Sequence, residues 1–156
     1  MKKIKYWLCL WLVGFTSCDK LPQNDELDGM WHLQKIMHLD ENNSYEENVL
    51  ENQYYWNFQL DLMLIMSLSD LIYEDTANFL KTDRAFCRFD YSNSQLFIHE
   101  VYLHFDNRDS LLTDRSTTLL ERYGIVGCSD TFDIEKLNNK HMILVSENKK
   151  LFFRKF

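Results

Sequence analysis

Cysteine offers the most distinctive chemistry in this chain, and Cys18 has the most informative surroundings. A thiol ionises near neutral pH and attacks where a hydroxyl does not. Cys18 follows the short run Gly-Phe-Thr-Ser at 14–17, which itself follows an apolar run at 6–13 and three lysines near the start. This order of basic, apolar and small residues is typical of a secretory signal. The apolar run is too short to be a stable transmembrane anchor.

The same arrangement resembles the lipobox of bacterial lipoproteins, with Phe15 where leucine is usual. The resemblance implies that residues 1–17 are a removed signal peptide and that Cys18 receives a diacylglyceryl group and further acylation. Two or more acyl chains make membrane attachment long-lived. The alternative is an ordinary signal peptide that leaves a free, exposed thiol, which is a liability in an exported protein. We therefore expect a protein anchored by lipid to the outer membrane of a cell envelope, on either of its sides.

Two further cysteines, Cys87 and Cys128, remain in the processed chain. In an oxidising envelope compartment they could form a disulfide. Two buried thiols are an equally good interpretation, because free cysteine packs as a small hydrophobic residue. The sequence leaves both alternatives open.

Length and charge limit the classes of partner. Loss of the signal leaves 139 of the 156 residues, and the formal charge goes from −7 to about −10 because three lysines are removed. Lysine and arginine are scattered along the rest of the chain, which argues against nucleic acid and against electrostatic attraction to anionic lipid. We expect a polar tether at 18–26, one domain at 27–156, and membrane contact through the N-terminal lipid alone.

The histidines and carboxylates of the chain are not spaced like the ligands of a metal site or the residues of a catalytic site. On the first predicted strand, His32 and His38 lie about 20 Å apart, too far for one metal ion. If their strand is regular, His99 and His104 lie on opposite faces, and His141 stands alone. A nucleophile elbow, a phosphate-binding loop and a zinc-binding helix motif are all missing from the sequence, and the carboxylates are scattered. We therefore expect no metal, no cofactor and no catalysis.

Alternation of apolar and polar residues predicts most of the elements. A strand begins within 27–38, and a hairpin joins 84–91 to 95–105 through a turn at 92–94. The segment 67–83 has no sustained period and is predicted to be a loop with some local structure. A long strand is predicted from Tyr54 to Leu64. Its inward face would carry Tyr54, Trp56, Phe58, Leu60, Leu62 and Leu64.

The last third of the chain completes the predicted fold. Thr118 and Glu121 have the spacing of a capping box, and Gly124 has the position of a helix-ending glycine, so a short helix is predicted at 116–123. Three strands follow at 131–137, 141–146 and 151–156. The sum is an all-β domain, an up-and-down antiparallel barrel of about eight strands with one short helix. Closure of the barrel removes strand edges that would otherwise be exposed.

Three stretches resemble a known family. Gly29-Met30-Trp31 matches the Gly-x-Trp of lipocalins, and Arg154 has the place of the lipocalin arginine that packs across this tryptophan. Together with 132–137 and 151–156, these residues are similar to lipocalin-like lipoproteins of uncharacterised function from Bacteroidota. The resemblance implies that Trp31 and Arg154 form a structural pair that closes one end of the barrel.

The barrel interior is the remaining candidate site. Barrels of about eight strands either fill their interior with side chains or hold one small ligand. A ligand cavity would be lined by Trp56, Phe58, Phe89 and Tyr91, although so many large side chains favour a filled core. Two functions follow: a lipid-anchored module that binds a small apolar ligand, or a filled barrel that serves as an accessory or interaction protein of an envelope complex.

Overall fold

The computed structural model describes residues 24–40, 43–75, 80–106 and 108–156, and Cys18 with the predicted signal lies outside them. Within that part of the chain, no helix is both long and apolar enough to cross a membrane. Short 3-10 turns occur at Asp25–Leu27, Leu50–Asn52 and Glu121–Tyr123. The strands are β1 (Gly29–His38), β2 (Tyr45–Asn48), β3 (Tyr54–Gln59), β4 (Leu62–Ser67), β5 (Tyr73–Asp75), β6 (Leu80–Thr82), β7 (Arg84–Tyr91), β8 (Gln95–Phe105), β9 (Arg108–Leu111), β10 (Asp130–Leu137), β11 (His141–Val145) and β12 (Lys149–Lys155).

Eight of these strands form a closed antiparallel barrel. Around the ring their order is β1, β3, β4, β7, β8, β10, β11 and β12, and β12 pairs with β1 to close it. The predicted up-and-down β-barrel is therefore confirmed. Outside the ring, β2 pairs with β1, β9 pairs with β8, and β5 and β6 form a separate two-stranded ribbon.

The two ends of the barrel differ. At the closed end, the turn Asp25–Leu27 precedes β1 and the chain reverses after β3, β7 and β10. Trp31 is fully buried there, and its indole N–H donates a hydrogen bond of 2.7 Å to the carbonyl oxygen of Leu27. The opposite end, called the mouth below, carries the β5–β6 ribbon, the β8–β9 hairpin and the segment 112–129.

The β7–β8 hairpin has the predicted limits, and the alternation of β7 buries Ala85, Cys87 and Phe89. In β8, however, a bulge interrupts the regular alternation at Glu100, whose φ is 48°. Because of this extra residue, His99 and His104 both lie on the outer face. The expectation that they lie on opposite faces is wrong.

The single strand predicted from Tyr54 to Leu64 is a hairpin. β3 and β4 pair with each other across a two-residue turn, in which Leu60 has a φ of 59°. After the turn, Met63 and Ile65 face the core, while Leu60 and Leu62 are exposed. The inward positions therefore change from even to odd numbers, and the predicted inward face is wrong beyond Phe58.

The predicted helix at 116–123 is reduced to one 3-10 turn. The backbone N–H of Glu121 donates to the carbonyl oxygen of Thr118 at 3.2 Å, and no side-chain cap is formed. Gly124 does have the predicted left-handed conformation, with a φ of 87°. The last three strands lie within two residues of their predicted limits.

Candidate ligand-binding site

Trp56 is the centre of an aromatic cluster inside the barrel. The rings of Phe132 and Phe153 lie 5.9 and 4.9 Å from it, between centroids. Phe58 lies 6.3 Å from Trp56 on the same strand and packs edge-on against Phe89 at 5.2 Å. Such separations are those of aromatic rings in direct contact. At this level, the interior is occupied by the protein's own side chains.

The four predicted cavity residues therefore have different roles. The structure brings together Trp56, Phe58 and Phe89, which are all buried and face inward, as part of a packed core. Tyr91 is only partly buried, in the last position of β7 at the closed end. Burial, and then the nearby charges of Asp25 and Glu26, raise the pKa of its hydroxyl. These residues do not line an open cavity together.

One donor in this core is unusual. The indole N–H of Trp56 is fully buried and has no hydrogen-bond partner among the described residues, whereas that of Trp31 is satisfied. A buried donor without a partner costs about 1–3 kcal/mol. The indole N–H of Trp56 is therefore a polar group that a ligand oxygen reaching this depth could satisfy.

Segment 112–129, called the mouth segment, closes the barrel above this cluster. Its residues Leu120, Tyr123 and Ile125 are completely buried. The ring of Tyr123 packs against that of Tyr54 on β3, with 4.6 Å between centroids. Its hydroxyl has no hydrogen-bond partner of normal geometry in the described chain, and burial strongly raises its pKa. Access to the interior from this end requires displacement of these side chains.

Close packing and hydrogen bonds hold the mouth segment in place. Gly124 lies so close to Leu151 on β12 that an added Cβ would approach its methyl groups to 2.6 and 2.7 Å. The carboxylate of Asp130 accepts the backbone N–H of Val126 at 2.9 Å. Burial raises the pKa of Asp130, although this hydrogen bond opposes the shift. The segment is thus built into the core.

An open concavity remains beside the mouth segment, between the β5–β6 ribbon and the β8–β9 hairpin. This mouth groove has a volume of about 500 Å³, which is within the usual range for small-molecule sites. It is lined by Tyr73, Asp75, Leu103, Phe105, Arg108, Ser110, Leu112 and Leu119.

The mouth groove combines an apolar floor with a polar rim. Leu103 and Phe105 are inward-facing residues of β8, and the ring of Tyr73 packs against Phe105 at 5.8 Å. Arg108 is directly opposite Phe105 in the β8–β9 pairing and so projects to the same side of the hairpin. Its guanidinium makes no ion pair with the described residues. The groove is suited to a ligand with an apolar body and a polar or anionic end.

The predicted pair of Trp31 and Arg154 is wrong. Arg154 is exposed and is opposite His32 in the β1–β12 pairing, so it lies on the outer face of the barrel. Lys155 is opposite Trp31, and its ammonium lies 5.0 Å from the centre of the indole ring. It also donates a hydrogen bond of 2.8 Å to the carbonyl oxygen of Glu26. Lysine therefore takes the place of the expected arginine over Trp31.

The proposed disulfide is absent, because Cys87 and Cys128 are both free thiols. Cys87 is fully buried on the inner face of β7, whereas Cys128 is half-buried in the mouth segment. Burial strongly raises the pKa of the Cys87 thiol. The alternative of unpaired thiols is the one that the structure supports.

A family model described as a lipocalin-like domain matches residues 13–156, nearly the whole chain. The chain belongs to the lipocalin-like domain family. This assignment confirms the predicted resemblance and agrees with the closed eight-stranded barrel. Within this lipocalin-like domain, Trp31 keeps its structural place at the closed end.

Two solved structures share the lipocalin-like fold. A lipocalin-like protein from Bacteroides uniformis superposes with a TM-score of 0.53 at 20% identity, covering 84% of this chain and 99% of the other. An uncharacterized protein from Bacteroides eggerthii gives a TM-score of 0.51 at 16% identity, covering 83% and 99%. At these identities the likeness establishes the fold alone. A search of curated proteins finds no significant match to this lipocalin-like chain.

Sequence reasoning missed the mouth groove because its lining comes from segments with weak or no periodicity. Tyr73 belongs to the stretch predicted to be a loop, Leu112 precedes the helix predicted at 116–123, and Leu119 lies within it. One signal was present: several large apolar residues at 111–125 lie outside any alternating pattern. Such residues need a surface to cover, and here they cover the mouth of the barrel.

Proposed function

We propose that this protein is a lipid-anchored envelope protein that binds a small, largely apolar ligand in the mouth groove and performs no catalysis. The observation that carries the proposal is the groove itself, with Phe105 and Leu103 on its floor and Arg108 at its rim. Eight-stranded barrels of the lipocalin type commonly hold one small ligand. Because aromatic side chains fill the interior around Trp56, the groove replaces the deep cavity as the binding site.

Ligand binding is tested by calorimetric titration of the purified protein with palmitate, cholate and a sterol in turn. Leu112→Asn should weaken binding of a positive probe about tenfold, because the apolar contact of one buried leucine is worth about 1.5 kcal/mol. Leu111→Asn is the matched control, since Leu111 is the preceding residue and is exposed outside the groove. Circular dichroism and a thermal midpoint check that both variants fold.

The charge at the rim allows a second comparison. Arg108→Gln should weaken binding of palmitate and cholate, whose carboxylates can pair with the guanidinium, and should leave sterol binding unchanged. Equal losses for all three probes would contradict the role of the charge. No saturable binding of any probe would contradict the binding function altogether.

Lipid attachment at Cys18 is the second part of the proposal, supported by the signal-like order of the residues before it. Cys18→Ser should move the protein from the detergent phase to the aqueous phase and abolish metabolic labelling with a fatty acid. Cys128→Ser is the matched control and should retain both the label and the detergent partitioning. If wild-type protein never takes up the label, the anchoring proposal fails.

A second candidate function is that of an accessory or interaction protein in an envelope complex. The filled interior favours it, and so does an apolar area on the outer wall. There, Leu64 on β4 is directly opposite Phe86 on β7, and Phe86 is opposite Tyr102 on β8. This candidate becomes the better one if none of the probes binds and a protein partner copurifies from the native envelope.

A further inference from the structure

The structure points to the way in which this barrel is oriented on a membrane. We infer that the closed end lies against the lipid surface and that the mouth groove opens away from it. This inference rests on the proposed attachment of lipid to Cys18. It adds a contact surface and a direction that the attachment alone does not supply.

The first argument is the place where the described chain begins. Asn24 lies at the closed end, where its side-chain amide donates a hydrogen bond of 2.7 Å to the carbonyl oxygen of Leu60. Asn24 is also tied to Asp28, through a hydrogen bond of 2.7 Å between their side chains. Five residues lie between Cys18 and Asn24, so the two Cα atoms are six steps apart and, whatever the conformation, at most about 22 Å from each other. An acyl group on Cys18 must therefore stay near the closed end.

The second argument is the exposed apolar surface at that same end. Leu60 forms the tip of the β3–β4 turn and is 46% exposed, and Leu62 next to it is 42% exposed. Phe156 is 81% exposed, and its backbone N–H donates to the carbonyl oxygen of Met30 near the start of β1. Apolar side chains that sit beside a lipid anchor gain free energy by entering the interface of the bilayer.

The charges of the chain give no reason for attraction to an anionic lipid surface. At the closed end, the carboxylate of Asp61 is paired with Arg88, and the ammonium of Lys155 lies beside the backbone of Glu26. After loss of residues 1–17 the chain would have a formal charge of about −10, so repulsion from anionic headgroups should exceed attraction. The contact should therefore be made with a zwitterionic surface. A bilayer of phosphatidylcholine is the appropriate probe.

The experiment compares two exposed leucines at opposite ends of the same strand. Lipidated protein with its complete processed chain, carrying benzoylphenylalanine at Leu60 or at Leu68, is reconstituted into phosphatidylcholine vesicles, irradiated and analysed for lipid adducts by mass spectrometry. Leu68 follows β4 at the mouth and is 60% exposed, so it is the more accessible control. A probe at Leu62 replaces the one at Leu60 if that variant does not fold.

We expect lipid adducts at Leu60 or Leu62 to exceed those at Leu68 about tenfold, since β4 places Leu68 about 20 Å farther from the acyl chains. Admixture of anionic lipid should lower the yield. Adducts at Leu68 equal to or above those at Leu60 overturn the orientation, and so does an absence of adducts at all three positions in protein that carries its acyl group. If the mass shows no acyl group, the proposed anchoring fails, and this inference fails with it.

Discussion

Substitution of Gly124 tests whether its close packing against Leu151 holds the mouth segment in place. Replacement by alanine places a side chain at a φ of 87°, a conformation that costs an L-residue about 1–2 kcal/mol. The new Cβ would also lie 2.6 Å from a methyl group of Leu151, and such overpacking in a buried site costs about 1–3 kcal/mol. We therefore expect Gly124→Ala to lower the free energy of unfolding by about 2–5 kcal/mol.

The assay is urea denaturation followed by tryptophan fluorescence and circular dichroism, in wild type and in a Leu151→Ala background. In that background the clash is absent, so the cost of Gly124→Ala should fall to the backbone part of about 1–2 kcal/mol. A cost below about 0.5 kcal/mol in wild type would refute the strained position. An equal cost in both backgrounds would refute the contact with Leu151.

Three further predictions follow from buried or stacked polar groups. Tyr123→Phe should raise the free energy of unfolding by about 1 kcal/mol, because it removes a buried hydroxyl that lacks a partner; a lower urea midpoint would contradict this. Lys155→Ala should lower the free energy of unfolding by about 0.5–1 kcal/mol, because the ammonium loses its contact with the indole ring of Trp31. Arg154→Ala should lower it by less. A larger loss for Arg154→Ala in urea denaturation would support the pairing of Trp31 with Arg154 instead. Burial lowers the pKa of His32 from 6.5, so the fold favours its neutral form. Its contribution to stability is present above pH 6.5 and is lost as the pH falls towards the lowered pKa. In a plot of the free energy of unfolding against pH, His32→Gln should therefore reduce the decrease below pH 6.5. An equal decrease in wild type and variant would contradict the lowered pKa of His32.

The sequence pattern predicted an element correctly where both the strands and the turn between them contain their typical residues. The β7–β8 hairpin was predicted with its correct limits because alternation on both sides meets a turn of polar residues at 92–94. The β3–β4 hairpin was missed because its turn consists of Leu60 and Asp61, without the glycine or asparagine that usually adopts a positive φ. Apolar residues continue at even-numbered positions through that turn, but after it the inward positions are odd-numbered.

The contacts around the candidate site depend on strand register and on tertiary folding, which a single sequence does not specify. Trp31 was identified by its motif, but the residue that covers it is decided by strand register, and a difference of one residue places Arg154 outside and Lys155 over the ring. Likewise, Tyr123 and Ile125 are buried only because the mouth segment folds back over the barrel. Their burial is a property of tertiary structure and has no periodic signature.

The pairing of β1 with β12 also has a consequence for how the chain folds. These are the first and last strands of the barrel, so their contacts have nearly the largest sequence separation available to the domain. Contacts of this kind slow folding, because the chain must lose the entropy of a long loop before they form. Ring closure should therefore be a late event, and a chain truncated before β12 would leave β1 and β11 with unpaired edges that are prone to aggregate.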